Sequence, residues 1–153
     1  MWVPPEEDDP IQLMAPTRES VSLFGAVNAR TGKLITQFEK IFNADTFEDF
    51  LKYLLRHRTP DRKMIIILDN ARYHHARKLK PLLRKNRRVL KLLFLPPYSP
   101  ELNNIERVWK LLRRLCVHNR YFPQLEELVA AISNQTDIWS KPNSVMQRLC
   151  CII

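Results

Sequence analysis

Alternation of apolar and polar positions opens the chain's ordered pattern. Val21, Leu23, Gly25 and Val27 alternate with Ser20, Ser22, Phe24 and Ala26, the period of two that a strand requires. Ala29-Arg30-Thr31-Gly32 reads as a turn, and Leu34 to Phe42 as a second strand, so the two form an antiparallel hairpin. The period then changes. Phe47, Phe50, Leu51, Leu54 and Leu55 recur at helical spacing behind Asp45-Thr46-Phe47-Glu48, which offers an N-cap with an acid three residues on; the helix stops before Pro60. Met64 to Leu68 is an uninterrupted apolar run, predicting a strand buried on both faces. A basic helix is expected over about His75 to Lys85, followed by another apolar run from Val89 to Leu95. Pro96-Pro97-Tyr98-Ser99-Pro100 is a stiff loop, since three prolines fix φ and remove donors. Ile105 to Leu115 predicts an amphipathic helix with Ile105, Val108, Leu112 and Leu115 on its core side. A last helix is expected over roughly Gln124 to Thr136, and the tail beyond Pro142 carries no clear pattern.

Hairpin, helix, strand, helix, strand, helix, helix is the order of an α/β layered domain with mixed strand directions. The 153 residues form one domain: residues 1–19, with four prolines and an acid cluster, are an extended lead-in, and residues 20–140 are the core. No repeat or internal boundary interrupts it.

Composition narrows the class. At 45% apolar and 27% charged, the chain can build a core and is not of disordered composition. It has no apolar stretch of membrane-spanning length and no signal-peptide pattern at its start. Three cysteines, Cys116, Cys150 and Cys151, do not make a disulfide framework, which suits a reducing cytoplasm. Cys116 and His118 lack the further ligands that a zinc site needs. The net charge of +9 is unevenly spread. Fourteen Lys or Arg stand against two acids between Arg72 and Arg120, whereas the first ten residues hold four acids and no base. A basic block beside isolated acids suits a polyanionic partner, although a solvated helix face would give the same run.

Two acids stand out. Asp69 follows the most apolar strand, at the strand end where open α/β sheets bind ligands. It would otherwise cap the following turn, with Asn70 assisting. Glu106 falls in the first turn of the helix after the proline-rich loop; Trp109, Lys110 and Arg113 lie on or near its face. Helix-dipole compensation or a salt bridge to Lys110 would also explain it. The pair, 37 positions apart, is more telling than either member, because a strand, a helix, a second strand and a loop between them can return Glu106 to the cleft at Asp69. Clustered carboxylate oxygens are what magnesium-assisted phosphoryl chemistry needs.

Ile65-Ile66-Ile67-Leu68-Asp69-Asn70-Ala71-Arg72-Tyr73-His74 and Leu95-Pro96-Pro97-Tyr98-Ser99-Pro100-Glu101-Leu102-Asn103-Asn104-Ile105-Glu106-Arg107-Val108-Trp109 resemble two signature blocks of one family. That family is the DDE superfamily endonuclease domain of bacterial insertion-sequence transposases related to mariner. Asn104 departs from it, standing where proline commonly precedes the Ile-Glu pair. The resemblance implies an RNase H-like mixed sheet flanked by helices. It also implies two aspartates and a glutamate that bind two Mg2+ (or Mn2+) ions, with Asp69 matching the second aspartate and Glu106 the glutamate. Water would cut a DNA strand, and the freed 3′-hydroxyl would attack target DNA. Asn70 and His74 match polar positions of the first block, as supports of the ligands or DNA contacts; a solvated surface place for His74 is the alternative. Tyr98 would pack on the loop or stack on DNA. Arg72, Arg77, Lys78, Arg84, Arg87, Arg88, Lys110 and Arg113 would neutralise phosphates, and Trp109 and Trp139 are expected in the core.

The family's first aspartate sits on the first strand, ahead of a Trp-containing segment that Trp2-Val3-Pro4 resembles. That strand is therefore expected upstream of Met1, leaving a sheet without it. Asp8 and Asp9, the nearby substitutes, lie in a proline-bounded acidic run that reads as a loop. The expectation is a catalytic-domain fragment acting on nucleoid DNA, as a homodimer or paired with an upstream-encoded segment. A non-catalytic nucleic-acid-binding or assembly protein is the alternative.

Overall fold

A computed structural model describes the backbone of residues 12–14 and the whole of residues 20–150. Asp8, Asp9 and the Trp2-Val3-Pro4 segment lie outside the described residues. Three strands, β1 (Gln12–Met14), β2 (Ser20–Val27) and β3 (Leu34–Glu39), form an antiparallel sheet in that order. The hairpin is as expected: Val27 pairs with Leu34, and Asn28 Oδ1 accepts the amides of Arg30 and Thr31 at 2.9 and 3.2 Å. Gly32 takes φ +71°, and a Cβ there would lie 2.1 Å from the Asn143 carbonyl oxygen, so the turn needs glycine for two reasons.

Helix α1 (Ala44–Arg56) follows. Its cap is Asn43 rather than Asp45: Asn43 Oδ1 accepts from the amides of Asp45 and Thr46, both at 2.9 Å, and the Thr46 hydroxyl takes the Asn43 amide. The capping box is thus closed by a threonine, two residues before the expected start. Strands β4 (Met64–Leu68) and β5 (Leu90–Phe94) pair in parallel, and β5 leads through a 3-10 turn at Pro100–Leu102 to α3 (Asn104–Cys116). Helices α4 (Leu125–Trp139) and α5 (Ser144–Cys150) complete the domain, the latter in the tail that lacks a clear hydrophobic pattern. Among the described residues, no helix is long and apolar enough to cross a membrane.

The strand directions are mixed, as expected, but they are divided between two sheets, and β2 is not hydrogen-bonded to β4. Two apolar clusters explain why the sheets still belong together. Helix α1 brings Phe47, Phe50, Leu51 and Leu54 onto Phe24 of β2 and, in the same cluster, Leu68 of β4 with Ile66 and Leu92 packed around it. On the opposite side of β2, Leu23 joins Val108, Trp109 and Leu112 of α3, Leu128, Ile132 and Trp139 of α4, and Met146 of α5. Alternation along β2 therefore feeds both cores. Gly25 makes room for the second: a Cβ there would come within 2.3 Å of Trp109 Cη2.

Three sequence expectations need correction. The β4 strand is covered on one face only, because α1 packs on Met64, Ile66 and Leu68 while Ile65 and Ile67 remain 55% and 59% exposed. The helix expected over His75 to Lys85 is broken into 3-10 turns at Arg72–His75 and Arg77–Leu79 and a six-residue α2 (Lys80–Lys85). Pro81 has no amide to reach back to Arg77, so the α-helix begins anew with proline in its first turn. Leu115 is exposed, and Cys116 fills the core position instead. Trp109 and Trp139 are buried, as expected.

Candidate active site

Asp69 is the first residue beyond β4 and is fixed there by its neighbours. Its Oδ1 accepts the Ala71 amide at 3.1 Å and faces His74 Nδ1 at 2.9 Å. His74 Nδ1 is also 3.1 Å from the Asp69 main-chain oxygen. Since both are acceptors, the proton of the imidazole belongs on Nδ1. Oδ2 has no hydrogen-bond partner among the described residues and the side chain is 43% exposed, so one carboxylate oxygen is held and the other is left without a protein partner there. The bond from His74 holds the Asp69 carboxyl below its usual pKa, with the Ala71 amide assisting against partial burial. An ionised, half-buried carboxylate with one free oxygen is a suitable hard ligand for a divalent cation.

His74 is not a solvated surface residue. It is 9% exposed, 4.4 Å from the Phe47 ring and 4.5 Å from Tyr73 between ring centroids. Tyr73 in turn packs on Phe24, Phe42 and Phe47 at 5.8–6.3 Å. Each such ring pair contributes about 0.5–1.5 kcal/mol. The aromatic cluster under α1 therefore sets the 3-10 turn that carries His74, and His74 sets Asp69.

Asn70 serves the frame. Its Nδ2 donates to the Leu95 carbonyl at 2.6 Å, and its Oδ1 accepts from His75 Nε2 at 3.1 Å, with the His75 ring stacked on Phe94 at 4.1 Å. The Leu95 amide also donates to Leu68 O at 2.8 Å, so the exits of β4 and β5 are tied side by side. Asp69 consequently stands where the proline-rich loop begins.

That loop ends at α3, whose first turn contains Glu106 as expected; the residue is half-buried. Asn104 takes the place of the family's proline; its Nδ2 donates to Cys150 O at 2.9 Å, linking the start of α3 to α5. Tyr98 does not pack on the loop: it is 100% exposed, with φ +57°. A left-handed tyrosine costs about 1–3 kcal/mol, borne here by a segment that the prolines make rigid. Among the described residues, no group of three or more His, Cys, Asp or Glu side chains is arranged to hold a metal ion.

The expected phosphate-neutralising residues are mostly solvent-facing. Arg72, Arg77, Arg84, Arg87 and Arg88 are exposed around the turns and α2, while Lys78 is engaged by Asp45 of α1. Lys110 and Arg113 border a cleft on α3 together with Arg107 and Arg114. The last two are not among the expected residues, although their helical spacing from Lys110 was the available signal.

The profile of the DDE superfamily endonuclease family matches residues 1–129. The uncharacterized protein y4pE/y4sA of Sinorhizobium fredii is 34% identical over 107 residues, covering 70% of this chain and 76% of that protein. The insertion element IS630 uncharacterized 39 kDa protein of Shigella sonnei is 25% identical over 114 residues, 74% of this chain but 33% of the relative. Among solved structures, the Mos1 transposase catalytic domain with raltegravir and Mg superposes with a TM-score of 0.74 at 16% identity, covering 93% of this chain and 74% of that one. That likeness establishes the RNase H-like fold expected from the sequence. Since the family match takes in both the strand end at Asp69 and the helix start at Glu106, the chain belongs to the DDE superfamily endonuclease family.

Proposed function

We propose that this chain is the catalytic part of an insertion-sequence transposase that cuts and joins DNA with Mg2+, or Mn2+, held by Asp69 and Glu106. The observation that supports this most directly is the Asp69 carboxylate, pinned through Oδ1 by His74 and the Ala71 amide with Oδ2 left open. A divalent ion bound there would supply charge neutralisation at the phosphate and a more acidic bound water. Water attacks a phosphorus of the DNA backbone and its proton passes to solvent; the bond to the 3′-oxygen breaks, leaving a 3′-hydroxyl. That hydroxyl attacks a phosphorus of target DNA, and the target's own 3′-oxygen leaves. Asp69 and Glu106 orient these oxygens, and His74 keeps Asp69 from turning away. Tyr98, held outward on its stiff loop, stacks on a base near the cut. Arg72, Arg77, Arg84, Arg87, Arg88, Lys110 and Arg113 neutralise phosphates. In a bacterial cell the site of action is nucleoid DNA.

The third acid of the triad would lie outside residues 20–150. It would arrive on a strand laid against the edge of β4 that β5 does not occupy, supplied by an upstream-encoded segment.

A second reading, a nucleic-acid-binding or assembly protein without catalysis, is favoured by the lack of a three-acid cluster among the described residues. Nicking of supercoiled DNA in Mg2+ separates the two. Weak or absent nicking by the chain alone, metal-dependent nicking once an upstream segment is added, and its loss in Asp69→Ala and Glu106→Ala, are expected for the transposase. DNA binding that neither substitution nor chelation alters, with no nicking under either condition, would establish the second reading.

A further inference from the structure

Helix α5 is tied down at both ends. At its start, Asn143 Oδ1 accepts the Met146 amide at 2.8 Å, and Asn143 Nδ2 donates to Gly32 O at 3.1 Å. The Asn143 amide donates to Thr31 O at 3.0 Å and Gln147 Nε2 to Arg30 O at 2.7 Å, so this end is fixed to the β2–β3 turn. At its other end, two side chains of α3 take carbonyls of the kind that a helix C-terminus leaves unpaired. Asn104 Nδ2 donates to Cys150 O at 2.9 Å and Arg107 Nη1 to Leu149 O at 3.2 Å. Between these ties, Met146 and Cys150 are buried in the core that also holds α3 and α4.

Asn104 and Arg107 bracket Glu106 in the first turn of α3. That turn has no side-chain cap of its own, because Asn103 at the N-cap makes no such bond, and an uncapped first turn frays without outside support. From Val108 onward the helix is held instead by burial of Val108, Trp109 and Leu112. Asn104 is also retained at a cost. Its Oδ1 is buried without a hydrogen-bond partner, a penalty that an apolar side chain would avoid. Stability alone would not select asparagine there; what it supplies is the bond to α5. We infer that Asn104 and Arg107 are positioning residues for Glu106, and that α5 is a tie that carries the position of the β2–β3 turn to the start of α3. The inference rests on the proposed role of Glu106 as a metal ligand. It gives α5, which lies beyond the residues matched by the family profile, a part in holding the site.

Amide exchange and Mn2+ titration of the full chain test this tie together. Asn104→Leu removes the bond to Cys150 O. Exchange at Glu106 and Arg107 should then quicken while that at Leu112 does not, and Mn2+ affinity, read by paramagnetic resonance, should fall about tenfold. In a Glu106→Gln chain the same substitution should leave the affinity as it is, because the ligand being positioned is already gone. Asn104→Pro should restore both readouts without the tie. Asn103 already has the extended backbone, φ −89° and ψ 101°, that suits a residue before proline, and proline at the first helical position presets the turn. Arg107→Lys, which keeps a donor, should lose less than Arg107→Met. Unchanged exchange at Glu106, or exchange that quickens equally along α3, overturns the inference. An equal loss of affinity with and without Glu106 overturns it too, since the effect would not pass through that residue. If Glu106→Gln by itself leaves the affinity unchanged, the metal role proposed for Glu106 fails, and exchange at Glu106 still decides whether α5 fixes the turn.

Discussion

His74 grips Asp69 at two points, its Nδ1 lying 2.9 Å from the carboxylate Oδ1 and 3.1 Å from the main-chain oxygen of the same residue. One imidazole N–H thus fixes both the side-chain rotamer and the backbone exit from β4. The positioning role leads to a direct expectation. His74→Ala should lower divalent metal affinity by about 10–100-fold, the usual effect of losing a group that orients a ligand. His74→Asn, whose amide can replace the Nδ1 donor, should recover part of it. Mn2+ titration followed by paramagnetic resonance measures both; equal affinities in all three proteins would refute the role.

Asp69 also carries a pH signature. Its pKa is lowered in the folded chain, chiefly by the bond from His74. A depressed carboxyl contributes stability that is present above its unfolded pKa, about 3.9, and is lost as pH falls through the folded value. In EDTA, the difference in thermal midpoint between the parent chain and Asp69→Asn should therefore be constant above about pH 5 and shrink on acidification below about pH 4. A difference that does not vary with pH would contradict the ionic partnership.

Gly25 and Trp109 form a steric pair, since a Cβ at Gly25 would sit 2.3 Å from the indole. Gly25→Ala should destabilise the domain by about 1–3 kcal/mol in chemical denaturation. Trp109→Phe in the same chain should cost less than the sum of the two single changes, because the smaller ring vacates the space that alanine needs. Strict additivity would show that the close approach is not what selects glycine.

The two faces of β4 should respond oppositely. Ile65→Thr with Ile67→Thr changes stability by no more than about 0.5 kcal/mol, because both side chains already face solvent and threonine keeps strand propensity. The same pair should reduce self-association in sedimentation runs, since it removes exposed apolar surface. Leu68→Ala, under α1 and 6% exposed, should cost about 2–5 kcal/mol. A comparable loss from the threonine pair would mean that the outer face is covered.

Much of this is legible in the sequence because strong patterns are involved. The β2–β3 hairpin, the strand ending just before Asp69 and the first-turn place of Glu106 each follow from periodicity joined to turn or helix-start signals. What escapes depends on tertiary partners. Asn43 and Asp45 are both good caps, and only the position of Thr46 and the approach of β3 decide between them. The apolar run Met64 to Leu68 reads as fully buried, yet burial depends on whether anything lies beyond Ile65 and Ile67. His74 reads as suited to solvent as to a core because the aromatic cluster that buries it comes from α1, β2 and the loop after β3. Tyr98, an aromatic flanked by prolines, favours packing on its own loop by pattern alone; the left-handed backbone turns it outward instead.

The division of the interior along β2 has a thermodynamic consequence. Leu68, the residue before Asp69, belongs to the aromatic half, while Val108 and Trp109, just beyond Glu106, belong to the other. Each half can open at its own free energy, in the manner of separate cooperative units. A metal ion that needs both carboxylates would bind only molecules in which the halves are docked, so its apparent affinity is the intrinsic one scaled by the docked fraction. The ion would then act as a clasp between two sub-structures, and amide exchange in α1 and α4, slowed together on adding Mg2+, would register its closing.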